Sequence, residues 1–530
     1  MFASQSPAQT ASPPKLLVVI AIDQFSANLF DEYRPQFTGG LERLATGTVF
    51  RNGYQSHALT ETCPGHSTLL TGDHPARTGV INNNWIDQSI ARADKTVYCA
   101  EDESVPGTTS TNYQVSAKHL LVGTLGELMK RRWPKSRNVA VSGKDRAAVM
   151  MSGHLADQRW YWNGKTFVTD LKGVPVPRVV PRFDAALAAS LTQARPPLEP
   201  PPYCQAKARA TALTGGGTSV GTGQFARAAG DLVAFRASPE IDGDTLALAA
   251  GLVDEMQLGR RSDPDLLSIS LSATDYVGHA YGTEGEEMCL QLLELDREIG
   301  DFLHLLDSRG INYAVVLSAD HGGKDIPERE RLAGVAGAMR VDPALSPGTM
   351  GKMLTSELHL EGPGLLGSGP FGDMYVDRRL RPADQKRLLA AAVAAYRAHP
   401  QVEAVFTGDQ IARTPLPTRP PESWSLIERA RESYYPGRSG DFIVILKKDV
   451  TPIADTSNHY VATHGSAWDY DRRVPILFWR PGRVGKTIEH SADTVDIMPT
   501  LASEIGLAIQ PGSIDGHCLI DVPGAHCTEH

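Results

Sequence analysis

Six residues of metal-binding type stand far apart in this chain: Asp23, Asp275, His279, Asp320, His321 and His464. Asp275-Tyr-Val-Gly-His279 sets an acid and an imidazole four positions apart. Asp320-His321 lies within Ser-Ala-Asp-His-Gly-Gly, and His464 within Thr-His-Gly-Ser. Mixed imidazole and carboxylate ligands favour zinc over magnesium or calcium, which prefer all-oxygen shells. Two such ions roughly 4 Å apart can clamp the attacking and leaving oxygens of an in-line displacement. Each fragment alone has a plainer reading. Asp275 and His279 could be a solvated pair on a loop, and Asp320 an acid in need of a partner at a buried strand's end.

The elements that must position these groups make the stronger case. Leu16–Ile22 runs apolar into Asp23, Asn138–Val141 precedes Lys144, Leu266–Ile269 precedes Asp275, and Tyr313–Leu317 precedes Asp320. Near-continuous Val/Ile/Leu runs of this length suit parallel strands covered on both faces. Between the last two, Met288, Leu292, Leu295, Ile299, Phe302, Leu303 and Leu306 recur at helical spacing, with Gly310 as the C-cap. Strand, helix, strand is a βαβ unit, and ligands of open α/β sheets gather at the carboxyl ends of the strands. The polar residues therefore converge in space. Two insertions are expected on this frame, about 175–237 with its Pro196–Pro202 run, and about 326–450. The second holds a helical Ala383–His399, then strands at Val402–Phe406 and Phe442–Leu446. Val474–Phe478 and Thr494–Ile505 read as a strand and a helix that return to the main sheet. Catalytic segments are thus 15–325 and 451–530.

Thr62-Cys63-Pro64-Gly65-His66-Ser67-Thr68-Leu69-Leu70-Thr71-Gly72 reads as a helix start, with Thr62 at or beside the N-cap and Pro64 in the first turn. Such an N-terminus offers free N–H groups and a positive dipole end to an anion. Gly-Lys144-Asp-Arg146 would by itself be an exposed charged turn. After a buried strand it becomes a candidate anion clamp. Asn82, Asn83 and Asn84 would be explained equally well by a turn.

The Thr62 segment is similar to the nucleophile motif of the alkaline phosphatase and sulfatase superfamily, Cys/Ser-x-Pro-Ser-Arg-x-x-Leu-x-Thr-Gly. Thr62 falls at the nucleophile and Pro64, Leu69, Thr71 and Gly72 at matching places, while Gly65 and His66 replace Ser and Arg. Without Cys or Ser at position 62 the formylglycine chemistry of sulfatases is excluded; Cys63, one position on, reads as structural. From about Leu16 to Leu507 the chain resembles the PafA-type alkaline phosphatases. That resemblance implies a three-layer α/β sandwich with a largely parallel central sheet and inserted cap or side subdomains. It also implies a phosphomonoesterase with two zinc ions and a phosphothreonine intermediate. Asp23, Thr62, Asp320 and His321 would hold the ion that activates the nucleophile. Asp275, His279 and His464 would hold the ion facing the leaving group. Asn83, chosen among the three asparagines by the family spacing alone, would bind the phosphate with Lys144 and Arg146. A monoester dianion suits two cations, which a diester would leave underused. The rivals are a phosphodiesterase or nucleotide pyrophosphatase on the same fold, and a non-catalytic metal- or phosphate-binding protein.

Composition narrows the partners. The chain has 530 residues, with 52 Lys plus Arg against 61 Asp plus Glu, a net charge of -9. That argues against nucleic acid, which needs a basic excess. Phosphate monoesters and inorganic phosphate must then be drawn by local charge. No apolar run is long enough to span a bilayer. The first fourteen residues contain no apolar stretch and read as a disordered leader. Six cysteines without a CxxC fit a disulfide-bonded exported protein, secreted or periplasmic, and Cys518–Cys527 is the pair expected to pin the tail. An additional calcium ion is the one other cofactor the surface acids allow, although no EF-hand spacing supports it.

Overall fold

A computed structural model describes residues 12–214 and 218–527, so most of the expected leader, residues 1–11, lies outside the described residues. A ten-stranded sheet runs through the molecule. Tyr313–Ser318, Leu16–Ile22, Asp265–Leu271, Asn138–Ser142 and Gln158–Trp162 lie side by side and parallel in that order. Arg473–Trp479 joins antiparallel to Tyr313–Ser318 and carries Thr48–Tyr54 on its other side. The sheet is therefore parallel at its centre, and the strand expected near Val474 returns to it in the opposite direction.

Side-chain alternation along the central strand builds the layers. Leu16, Val18, Ile20 and Ile22 enter one buried cluster, with Leu292, Leu295 and Ile299 of the Glu286–Ser308 helix. Leu17, Val19 and Ala21 enter another on the opposite face, with Leu69 and Leu70 of the Thr62–Thr71 helix and Leu501 of Ile497–Glu504. A strand buried on both faces needs apolar residues at every position, which is why it reads as a continuous run. Gly310 follows the long helix with φ +62°. That backbone is easy only for glycine.

The segment about 175–237 adds Val180, Leu187, Leu191, Cys204 and Phe235 to the main core, and Cys204 is bonded to Cys289 of the long helix. Within 326–450 a separate antiparallel sheet orders Leu365–Leu366, Gly372–Val376, Phe442–Leu446 and Val402–Thr407. The helices Pro347–Glu357 and Pro382–Ala398 cover it through its own apolar cluster. Cys518 and Cys527 are bonded, as the spacing suggested, and Cys63 is bonded to Cys99.

Candidate metal and phosphate site

Register explains how distant residues meet. Ile22 pairs with Leu271, Ala21 with Ser318 and Ser270 with Ser142. The carboxyl ends of four adjacent strands therefore lie level, and Asp23, Asp320 and Lys144 leave from three of them. Asp275 and His279 are not on a loop, as their isolated spacing suggested. They sit on the helix Ala273–Tyr281, one turn apart and on one face. Gly278 within that turn lies against the Gln24 side chain, where a Cβ would come within 1.5 Å of Oε1. His464 arrives from the long loop that follows the inserted sheet.

The imidazoles are held in one tautomer. Nδ1 of His279 lies 2.9 Å from the carbonyl of Ala462, that of His321 2.8 Å from Gly322 and that of His464 2.9 Å from Thr60. A carbonyl only accepts, so each Nδ1 carries its hydrogen and Nε2 is the nitrogen left to bind a ligand. Those Nε2 atoms face carboxylate oxygens. His279 and His464 stand 3.2 and 3.3 Å from Asp275 Oδ1, and His321 3.2 Å from Asp320 Oδ2. Asp275 Oδ1, Asp320 Oδ2 and His321 Nε2 are buried without a hydrogen bond. Lone pairs that face each other in a buried site require a cation between them. A proton does not serve at His464, whose basicity burial pulls down to about 4. Divalent cations therefore fit both groups of residues, and imidazole with carboxylate is a donor set zinc accepts.

His66 is the site residue that sequence reasoning missed. One turn below Thr62 and fully buried, it places Nδ1 2.9 Å from the Thr62 carbonyl. Its ring bridges the two metal-facing acids, with Nε2 3.3 Å from Asp23 Oδ1 and Nδ1 3.3 Å from Asp320 Oδ2. Burial lowers its basicity, but the two carboxylates outweigh this and push it up to about 10. The available signal was the four-residue helical step from Thr62. Gly65 belongs to the same device: a Cβ there would lie 1.9 Å from the Asp320 carbonyl oxygen, so only glycine lets the helix approach the strand end.

Thr62 is buried and occupies the first helical position, with Glu61 rather than Thr62 as the N-cap. Arg146, in the first turn of the Asp145–Ser152 helix, brings Nη2 to 3.4 Å from Thr62 Oγ1. Asn83 donates its backbone N–H to Glu61 at 2.6 Å and accepts that of Cys63 at 2.8 Å on its side-chain oxygen. Asn82 turns away to Asp373 and Asn84 opens a short strand, which separates the three asparagines. Lys144 bridges Asp23 at 2.9 Å and Asp275 at 2.5 Å. Burial opposes its charge, yet the two carboxylates raise its pKa. Tyr460 closes the outer edge, its hydroxyl 3.1 Å from His279 Nε2.

Comparison with known proteins identifies the chain's relatives. The family model described as type I phosphodiesterase / nucleotide pyrophosphatase matches residues 17–467. Alkaline phosphatase PhoK of Sphingomonas sp. is 51% identical over 97% of this chain and 92% of its own length. Alkaline phosphatase PhoD of Zymomonas mobilis is 49% identical over 96% of this chain and 88% of its own. In fold, the chain is similar to the crystal structure of alkaline phosphatase PafA, with a TM-score of 0.81 and 24% identity over 95% of this chain and 99% of that one. Murine ectonucleotide pyrophosphatase / phosphodiesterase 5 is more distant, with a TM-score of 0.55, 12% identity, and coverage of 93% of this chain and 96% of that one. The chain belongs to the type I phosphodiesterase / nucleotide pyrophosphatase family, and within it is an alkaline phosphatase of the PafA type.

Proposed function

We propose that this hydrolase is a two-zinc phosphomonoesterase that works through a phosphothreonine on Thr62. The observation that carries the proposal is the set of Nε2 atoms aimed at buried, unpartnered carboxylate oxygens. Asp23, Thr62, Asp320 and His321 would hold one ion, and Asp275, His279 and His464 the other. Bound zinc supplies Lewis-acid charge to the attacking and leaving oxygens of an in-line displacement.

The chain's own residues do the rest. Thr62 Oγ1 attacks phosphorus from the first turn of a helix, where free N–H groups and the dipole favour an anion. The alcohol leaves, and water hydrolyses the phosphothreonine in a second displacement. Arg146 stands beside Thr62 Oγ1, so its guanidinium meets oxygens of a phosphoryl group attached there. Asn83, its oxygen spent on Cys63, has its NH₂ left for another. Lys144 is the counter-charge of Asp23 and Asp275; with cations in that role its ammonium is released toward the phosphate. Two cations and an amide match the three terminal oxygens of a monoester dianion. Three disulfides suit an oxidising, secreted or periplasmic setting. Among the described residues no helix is long and apolar enough to cross a membrane.

Metal analysis of the purified protein, run beside p-nitrophenyl phosphate and bis-p-nitrophenyl phosphate assays, tests the reading. Two zinc ions at this site and a strong monoester preference are expected, with turnover abolished in Thr62→Ala. Unchanged turnover in Thr62→Ala would sink the nucleophile assignment.

A further inference from the structure

A further cation stands beside the phosphate site, on a ring that Lys144 also touches. Tyr276 follows Asp275 on the Ala273–Tyr281 helix and is half-buried. Lys144 Nζ lies 4.8 Å from the centre of its ring, and Arg236 Cζ lies 4.6 Å from the same point. The two cations are therefore no further apart than those two distances together. Their surroundings differ. The Lys144 side chain is 1% exposed and is shared between Asp23 and Asp275. Arg236 is exposed, and among the described residues its guanidinium has neither an ion pair nor a hydrogen bond. The Tyr276 ring thus links the buried centre to the surface.

Arg236 reaches this place from the inserted segment about 175–237, and its backbone is fixed there. It ends the short Leu232–Arg236 helix, whose Asp231 cap accepts the N–H groups of Val233 and Ala234. Phe235, its neighbour, is fully buried with its ring 5.1 Å from that of Trp162. The Ser238 hydroxyl donates to the Phe235 carbonyl at 2.9 Å. Cys204–Cys289 bonds the segment to the long helix.

What stays free is the donor set of the guanidinium. A cation–π contact uses the charge of the group and none of its five N–H donors, so Arg236 keeps the fork that suits an oxyanion. An arginine without an acceptor, held at the exposed edge of an anion site, extends the positive charge outward beyond Lys144 and Arg146. A transferred phosphoryl group already meets those two. The group that Arg236 can meet is on the part of the substrate that leaves.

We propose, resting on the monoesterase reading of that site, that Arg236 is a specificity residue that binds a second oxyanion on the alcohol part of the ester. The favoured substrates are small phosphate monoesters with such a group a few bonds from the scissile phosphate. Arg236 takes no part in either displacement.

Glycerol 3-phosphate and 3-phosphoglycerate are a matched pair, with a hydroxymethyl group in one where the other has a carboxylate. Phosphate release from each by the purified enzyme gives the two kcat/KM values. In Arg236→Gln the value for 3-phosphoglycerate should fall about 3- to 10-fold more than that for glycerol 3-phosphate. That range lies between an exposed ion pair and a charge-assisted hydrogen bond. Arg236→Lys, which keeps the charge, should recover part of the ratio. A wild-type ratio in Arg236→Gln, with turnover intact, would overturn the inference and leave Arg236 a structural brace on Tyr276, whatever happens to Tm. Hydrolysis of neither ester by the wild-type enzyme would sink the monoesterase reading itself.

Discussion

The side-chain oxygen of Asn83 accepts the backbone N–H of Cys63 at 2.8 Å, one residue beyond Thr62. A backbone N–H can only donate, so the amide is oriented by that contact and its NH₂ is the half left for an anion. In the proposed reaction Asn83 would thus serve both the start of the Thr62 helix and the phosphate.

Two substitutions separate those roles. Asn83→Ala should lower monoester kcat/KM by about 10- to 150-fold, the worth of one hydrogen bond to a charged group. Asn83→Asp keeps an acceptor for Cys63 but sets an anion beside the phosphate, and should be worse. If Asp restored activity where Ala had not, Asn83 would be a structural residue only. Steady-state kinetics with p-nitrophenyl phosphate, beside a thermal melt, decide it.

In the proposed reaction Lys144 and Arg146 carry the substrate class. Removing both, Lys144→Ala with Arg146→Ala, withdraws two charge-assisted contacts that a dianion uses more fully than a diester. Monoester kcat/KM should fall by at least about 100-fold more than diester kcat/KM, taking about 1.5–3 kcal/mol for each lost contact. Parallel assays on the two nitrophenyl substrates measure the ratio. Equal losses would point back to a phosphodiesterase.

His66 acts on Asp23 and Asp320 rather than on substrate. His66→Gln should weaken zinc at that position by about 10- to 100-fold, the usual effect of losing a residue that orients metal ligands. Competition with a chelator, followed by counting the zinc retained, gives the affinity directly. The Asp275–His279–His464 ion should be retained. Saturating zinc should restore much of the turnover, which a folding defect would not allow.

Asp242 makes stability depend on pH. It is fully buried, accepts the Ala273 N–H at 3.0 Å and meets Gln291 at 3.1 Å, and burial raises its pKa to about 7. An unfolded aspartate titrates near 3.9. Its contribution to stability is therefore complete below about pH 4 and is lost as pH rises through about 7, with a slope of at most about 1.4 kcal/mol per pH unit. Asp242→Asn mimics the protonated carboxyl and should flatten urea-melt stability between about pH 4 and 7. An unchanged slope would show that Asp242 stays ionised throughout.

Much of this molecule could be read before any coordinates. Leu16–Ile22, the helix ending near Gly310 and the acids after the strands follow from local rules of burial and periodicity. Asp275 to His279 was harder, because five residues containing Gly278 are too few to display a helical period. His66 was harder still. Its motif position showed only that it replaces an arginine, and its partners Asp23 and Asp320 lie 43 and 254 positions away. Two of the three disulfides were equally hidden, since six cysteines allow fifteen pairings.

Sequence alone settles the doubly covered parallel sheet and the residue types at its carboxyl ends, because a strand buried on both faces must be apolar throughout and its end is the first place a charge is tolerated. The direction of each lone pair belongs to the tertiary structure. His464 presents Nε2 because the Thr60 carbonyl, 404 positions away, holds its Nδ1, and His279 does so because of Ala462, 183 positions away. A tautomer is chosen by whichever acceptor the fold brings to the ring, and no local pattern records that choice.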